Sequence, residues 1–447
     1  MSSLKKLAIR GMVWTIAGYG TSQILRFGSN LILTRLLFPK LFGLMALLNI
    51  FIIGLHLFSD IGIGPSIIQN KRGDDPAFLN TAWTLQIIRG FALWFCCVAI
   101  AWPITKLYGE PQFLWLLPVV GLSTIITGFN STALFTLNRH MAVAQLGIFE
   151  LGGQVISLMV MLIWAWFSPT IWALVIGGLV SDSVRMVWSH RLIPGSCNRF
   201  AWDQDATNAL FSFGRWIFIS TALTFLATQA DRLILGKLLS LEMLGVYGIA
   251  FVLADMPRQL IVVISGKVIF PAVARLTHLP REALRAKILQ QRKFVVVLLA
   301  LGLTVLISFG DLLILTLYDQ RYIQAAWMLP ILALGVWSNV LFQTLGIPLL
   351  LAVGKPLYAA YGNFLRLLFI SIGIPLGFSL KGIVGVAIVV ALAELPLYGA
   401  VTYGLWREEM SAVAQDIKAT ALFLVILTSV LMGRFVLGFG LPISGIL

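Results

Sequence analysis

Apolar runs of about 20 residues follow one another along the chain, each long enough at roughly 1.5 Å per residue to cross a hydrocarbon core of about 30 Å. A chain built this way folds in a bilayer, with the backbone hydrogen bonds closed inside each crossing segment. Of its 447 residues 59% are hydrophobic and 11% charged, too few polar side chains to coat a soluble domain of that size. The runs are continuous, which argues against the roughly 10-residue alternating strands of an outer-membrane barrel and for an all-α polytopic membrane protein.

Spans are predicted near residues 11–33, 41–64, 82–105, 113–136, 141–165 and 170–189, then near 208–230, 241–270, 294–317, 325–352, 357–378 and 382–405. A thirteenth is predicted near 418–433, with the tail "RFVLGFGLPISGIL" as a short fourteenth or a hairpin. The N-terminus "MSSLKKLAIRGMVWTIAGYG" runs on past a signal-peptide core without a small-x-small cleavage site, so it reads as a retained first span. Lys5, Lys6 and Arg10 favour a cytoplasmic N-terminus, and that orientation puts 18 basic residues on the cytoplasmic side and 7 opposite. The net charge of +14 is then explained by topology and anionic headgroups rather than by nucleic acid.

"SNLILTRLLFPKLFGLMAL" at 29–47 has an echo in "DRLILGKLLSLEMLGVYGI" at 231–249. An offset of 202 lays Leu31 on Leu233, Arg35 on Lys237, Gly43 on Gly245 and Trp14 on Trp216. Six predicted spans separate the copies, so both halves cross in the same direction, a parallel repeat. The expected layout is an N-lobe at 1–190, a cytoplasmic linker at 191–207, a C-lobe at 208–406 and a C-terminal helix or hairpin at 407–447. Two six-helix lobes around a central cavity are the plan of an alternating-access transporter.

Charges inside spans are the candidates for function, because each costs about 2.5–3.5 kcal/mol on insertion scales unless it faces protein or water. They are Arg26, Arg89, Arg215, Arg232, Arg258, Lys267 and Arg366 against Asp60, Glu150, Asp182, Asp231, Asp255, Asp311 and Glu394. Arg26, with Asn30 one turn on, and Arg215, Arg232 and Arg366 suit a phosphate-bearing substrate. Glu150, Asp255 and Glu394, near mid-span, suit the carriage of a coupling proton. The competing reading is internal ion pairing, as for Asp60 with Arg89 or Asp255 with Arg258. The basic stretch 275–293 reads equally as a surface amphipathic helix or a solvated connector. Cys96, Cys97, Cys197 and the four histidines, His56, His140, His190 and His278, lack metal-ligand spacing, so no metal or cofactor is expected.

"TRLLFPKLFGLMALLNIFIIGLHLFSDIGIGPSIIQ" at 34–69 and "QADRLILGKLLSLEMLGVYGIAFVLADMP" at 229–257 resemble the two hallmark stretches of the bacterial oligosaccharide flippase or polysaccharide transporter family. The resemblance implies a fold like the multidrug and toxin extrusion transporters, and movement of undecaprenyl-diphosphate-linked oligosaccharide from the inner to the outer leaflet of the cytoplasmic membrane. It implies membrane lipids and the polymerase or export machinery as partners, and no enzymatic activity. A drug antiporter of the same fold would rely on acidic cavity residues. A membrane-embedded polymerase would carry a large outer loop, and none longer than about 10 residues is predicted.

Overall fold

The computed structural model describes residues 2–59, 62–140, 142–193, 198–276 and 279–443, and within them all side chains but those of 2–16, 58, 143, 209, 211–224, 227, 267 and 268. Every regular element among the described residues is helical. The chain divides into two compact units, Met1–Phe225 and Leu226–Leu447.

The first unit holds α1 (Ser2–Leu36), α2 (Pro39–Phe58), α3 (Ile63–Gln69), α4 (Pro76–Tyr108), α5 (Phe113–Gly128), α6 (Ala133–Arg139), α7 (Val143–Phe167) and α8 (Ile171–Ser189). It also holds the start of α9 (Gln204–Leu238), whose last residues belong to the second unit. The predicted spans 41–64 and 113–136 are each broken. After α2 the chain passes through Gly62 at φ 66°, left-handed backbone that glycine adopts without strain, before α3 begins. Between α5 and α6 the axis bends by 60°.

A break inside a membrane strips carbonyls of their helical donors, and α4 supplies replacements from two side chains one turn apart. Gln86 Nε2 donates to the carbonyls of Thr127, Gly128 and Asn130 at 3.0–3.1 Å, closing the α5 break. Arg89 donates from Nη2 to the His56 carbonyl at 2.6 Å and from Nε to Ser59 Oγ at 2.9 Å, closing the end of α2. The sequence reading paired Arg89 with Asp60, which lies outside the described residues, as do Cys197 and His278.

At the mouth of this unit one guanidinium serves two helix caps. Asp75 caps α4, accepting from Ala77 N at 3.0 Å, and Asp203 caps α9, accepting from Asp205 N at 2.9 Å. Arg72 Nη2 lies 2.8 Å from Asp75 Oδ2 and 2.6 Å from Asp203 Oδ2. The described end of the expected linker is strapped onto the same unit: Arg199 N donates to Asn80 Oδ1, Ala201 N to Thr84 Oγ1 and Asp203 N to Thr81 Oγ1, at 3.0–3.2 Å.

The second unit continues with α10 (Leu241–Ile264), a π-turn at Ser265–Ile269, α11 (Phe270–Ala274), α12 (Arg281–Leu317), a 3-10 turn at Gln320–Tyr322 and α13 (Ala325–Leu341). A second π-turn at Phe342–Gly346 leads into α14 (Ile347–Ala352), followed by α15 (Leu357–Leu392), α16 (Leu395–Arg407) and α17 (Val413–Val436). The α13–α14 segment is the centre of this unit, 78% of its apolar window being buried, whereas the window in α7 of the first unit is 11% buried. The stretch expected at 275–293 as a separate surface helix or connector is, from Arg281, the beginning of the 37-residue α12. Within α15 the chain reverses at Lys381 and Gly382, where Gly382 takes φ 56°. The two arms then pack so closely that a side chain at Gly377 or Gly385 would strike the other's backbone. Predicted span eleven is the first arm, and predicted span twelve is the second arm together with α16.

Among the described residues nine segments are long and apolar enough to cross a membrane, ten if bent α5–α6 counts as one span, against thirteen or fourteen predicted. One of the nine, Leu357–Arg407, contains the hairpin. The first and seventh predicted spans fall on α1 and α9, each 35 residues long with starts 202 apart, and much of their side-chain complement, Trp14 and Trp216 included, lies outside the described residues. Residues 437–443 of the tail form turns, not a fourteenth helix.

Two buried ion pairs of opposite sense bolt α17 to α12. At one end Arg292 of α12 lies 2.6 Å from Asp416 of α17, and at the other Asp311 of α12 meets Arg434 of α17. Arg292 also donates from Nη2 to the Leu341 carbonyl at 2.7 Å, where the π-turn begins, and from Nε to Thr344 Oγ1 at 2.9 Å. Between the two pairs Trp337 stacks on Phe423 with ring centres 4.3 Å apart.

Asp311→Asn leaves the Arg434 charge buried without its counter-ion and is expected to cost about 3–5 kcal/mol. The exchange Asp311→Arg with Arg434→Asp is expected to restore more than half of the lost thermal stability in detergent. The carboxyls of Asp75 and Asp203 sit below the usual carboxylate range, chiefly through their hydrogen bonds to Arg72. Their contribution is therefore complete above about pH 4 and is lost as pH falls through the depressed folded values. Melting temperature between pH 6 and pH 3 is expected to fall more steeply for the wild type than for Arg72→Gln.

Candidate functional site

The second unit encloses a small cavity of about 40 Å³ lined by five ionisable side chains. Asp231 comes from α9, Asp255 and Arg258 from α10, Arg366 from the first arm of α15, and Glu394 from the joint between α15 and α16. Phe251, Leu332, Val336 and Ile370 close its apolar walls. Asp255 and Arg258 are three residues apart, so one helical turn brings them together: Arg258 donates to both carboxylate oxygens, and Gln259 Nε2 adds a bond at 3.0 Å. The hairpin makes the second pair, placing Arg366 Nη2 3.1 Å from Glu394 Oε1.

Two acids are thus matched by two guanidiniums, and Asp231 is left over. Asp231 is 6% exposed, and its Oδ1 is buried with no hydrogen-bond partner. Glu394 Oε2 is likewise buried and unpartnered. Arg232, next in sequence, turns its guanidinium onto the Phe251 ring, 4.8 Å from the centroid. Fully ionised, the lining carries three negative and two positive charges. Burying an uncompensated carboxylate is expensive, so this cavity favours holding one more positive charge. Among the described residues no group of three or more His, Cys, Asp or Glu is arranged to hold a metal ion.

The structure thus gathers three of the sequence-selected residues, Asp255, Glu394 and Arg366, at one cavity and leaves others apart. Arg366, selected for a diphosphate, is engaged by Glu394. Glu150, selected as a mid-span proton carrier, is exposed two turns into α7 with Oε2 3.2 Å from Arg185 Nη2. Arg26 is exposed on α1 and makes no ion pair among the described residues; Asn30 beside it has a buried Oδ1 with no partner. The side chains of Arg215 and Lys267 lie outside the described residues. The sequence places Asp231 among the charges inside spans without assigning it a role, and offers Arg258 only as an ion-pair partner. The signal for Asp231 was its position at the opening of the second repeat copy.

The fold is that of the multidrug and lipid-flippase transporters. An inward-facing multidrug resistance MATE family transporter of the MOP superfamily superposes with a TM-score of 0.69 at 12% identity, over 87% of this chain and 95% of that one. The lipid II flippase MurJ, in an inward closed conformation, gives 0.70 at 13% identity over 94% and 92%. The family model described as polysaccharide biosynthesis protein matches residues 32–327, and the chain belongs to that family. A similar curated protein, the teichuronic acid biosynthesis protein TuaB of Bacillus subtilis, is 23% identical over 307 residues, 68% of this chain and 62% of that protein. Matches to three further curated relatives span between 52 and 66% of their lengths. The chain is thus a polytopic helical protein of a polysaccharide biosynthesis family, with a fold shared with membrane transporters.

Two substitutions separate the matched acids from the unmatched one. Glu394→Gln strips Arg366 of its counter-ion and is expected to destabilise the protein by roughly 3 kcal/mol. Asp231→Asn removes a lone buried acid and is expected to leave the melting temperature unchanged or raise it, because functional acids are often held at a cost in stability.

Proposed function

We propose that the protein is an alternating-access flippase that carries undecaprenyl-diphosphate-linked oligosaccharide from the inner to the outer leaflet of the cytoplasmic membrane for polysaccharide export. The observation that carries this reading is the family match across 32–327 on a fold shared with a lipid flippase. Residues 1–190 and 208–406 are the two six-helix lobes of a parallel repeat. The equal lengths of α1 and α9, and the common offset of 202 at the starts of α2 and α10, support this. The N-terminus is cytoplasmic, as the basic-residue bias favours.

In this mechanism Arg26, exposed and without an internal counter-ion among the described residues, meets the diphosphate, with Asn30 beside it and Arg215 and Arg232 as further cations on α9. The charge cluster of the second unit is the coupling site, with one added positive charge beside Asp231 completing its balance and Asp255 and Glu394 held by their arginines. Gain and loss of that positive charge would change the net charge of a buried site by one unit and bias one conformation over the other. Polymerase or export machinery receives the flipped product.

The test is lipid extraction from cells lacking the protein, with an impermeant sugar-modifying reagent reporting the leaflet. Lipid-linked oligosaccharide is expected to accumulate on the cytoplasmic side. Accumulation on the outer side would transfer the role to a later step, and no accumulation would favour a small-molecule antiporter. Complementation with Arg26→Ala or Asp231→Asn is expected to restore less than a tenth of wild-type export at normal protein levels.

A further inference from the structure

The first unit contains a cavity of about 300 Å³, at the lower end of the range for small-molecule sites, set between the two broken spans. Its lining combines polar side chains, Gln86, Arg89 and Asn130 among them, with apolar ones such as Pro65, Leu134 and Phe135. Gln86 and Arg89 are already engaged in the frame, since Gln86 Nε2 is shared among three carbonyls and Arg89 closes α2. Asn130 differs: its Oδ1 is buried with no hydrogen-bond partner, an acceptor awaiting a donor.

We infer that this cavity binds one sugar ring of the transported glycan. The inference rests on the proposed flippase reading for the identity of the glycan, and on the cavity's chemistry for the site. A pyranose brings hydroxyl donors around its edge and apolar C–H groups on its faces, and the cavity offers an unpaired acceptor together with apolar lining that includes the Phe135 ring. A simple anion is a poorer match, because the Arg89 guanidinium faces the His56 carbonyl and Ser59 Oγ. An alkyl chain would bury Asn130 Oδ1 for good.

The site is also rigid before anything binds. Trp83 Nε1 donates to the Phe129 carbonyl at 3.3 Å, Ser131 N donates to Ser189 Oγ at 2.8 Å, and Ser131 Oγ donates to Asn198 Oδ1 at 2.7 Å. The break that carries Asn130 is thereby fixed to α4, α8 and the strap, so a ligand need not order it.

The test uses the full-length protein in detergent and, as probe, the repeat-unit glycan released from the cells' exported polysaccharide by partial acid hydrolysis. Binding is followed by the shift in melting temperature over a glycan titration. The expected result is a saturable shift in the wild type, a Kd raised about tenfold by Asn130→Ala and binding abolished by the cavity-filling Leu134→Trp. Asn130→Ala breaks no side-chain hydrogen bond of the frame and so keeps the test sound if Leu134→Trp misfolds. No binding to the wild type, or equal binding by wild type and Asn130→Ala, would overturn the sugar site. Transport of lipid-linked glycan, measured on the same protein in liposomes, reports separately: binding without transport would sink the flippase reading alone, and transport without effect of either variant on glycan binding would sink the sugar site alone.

Discussion

Inside a hydrocarbon layer a backbone carbonyl without a donor has no water to turn to, and much of this structure follows from that constraint. Three departures from regular helix are answered by named side chains. Gln86 and Arg89, neighbours on α4, hold the breaks at α5 and α2, and Arg292 of α12 donates to the Leu341 carbonyl where the π-turn after α13 begins. These three residues would read as intramembrane liabilities if only their polarity were counted. They are what lets the spans bend at all, and the cavity of the first unit exists because two bends meet there.

The same economy governs charge. Four partly or fully buried arginines of the second unit face carboxylates: Arg258 with Asp255, Arg366 with Glu394, Arg292 with Asp416 and Arg434 with Asp311. Breaking any of these leaves a stranded charge, so they are structural first. Against that background Asp231 is conspicuous as a buried acid whose Oδ1 has no partner, in the cavity where two pairs already balance. There the pairing rule is not completed.

The placement of spans was legible from hydropathy, down to the hairpin between the eleventh and twelfth, where the predicted gap at 379–381 falls beside the turn at Lys381 and Gly382. The bends were not. The runs 41–64 and 113–136 carry short polar clusters at their breaks, Ser59–Asp60 and Asn130–Thr132, but each run as a whole is apolar enough to read as one straight span. Pairings i to i+3, such as Asp255 with Arg258, can be read from spacing, whereas Arg366 with Glu394 requires knowing that a helix doubles back. Arg292 shows the limit most plainly: in sequence it belongs to a basic connector, in the structure it is 3% exposed and joins α12, α13 and α17.

The bolting of α17 to α12 also has a bearing on biogenesis. Asp311 and Arg434 are 123 residues apart, so at about 5–20 residues per second the acid leaves the ribosome of the order of 10 s before its partner exists. During that interval α12 holds a carboxylate that cannot settle as an ion pair, and the same delay separates Arg292 from Asp416. The second unit therefore reaches its final packing only after its last helix has been synthesised. Nascent chains stalled before Arg434 are natural targets for the membrane quality-control proteases.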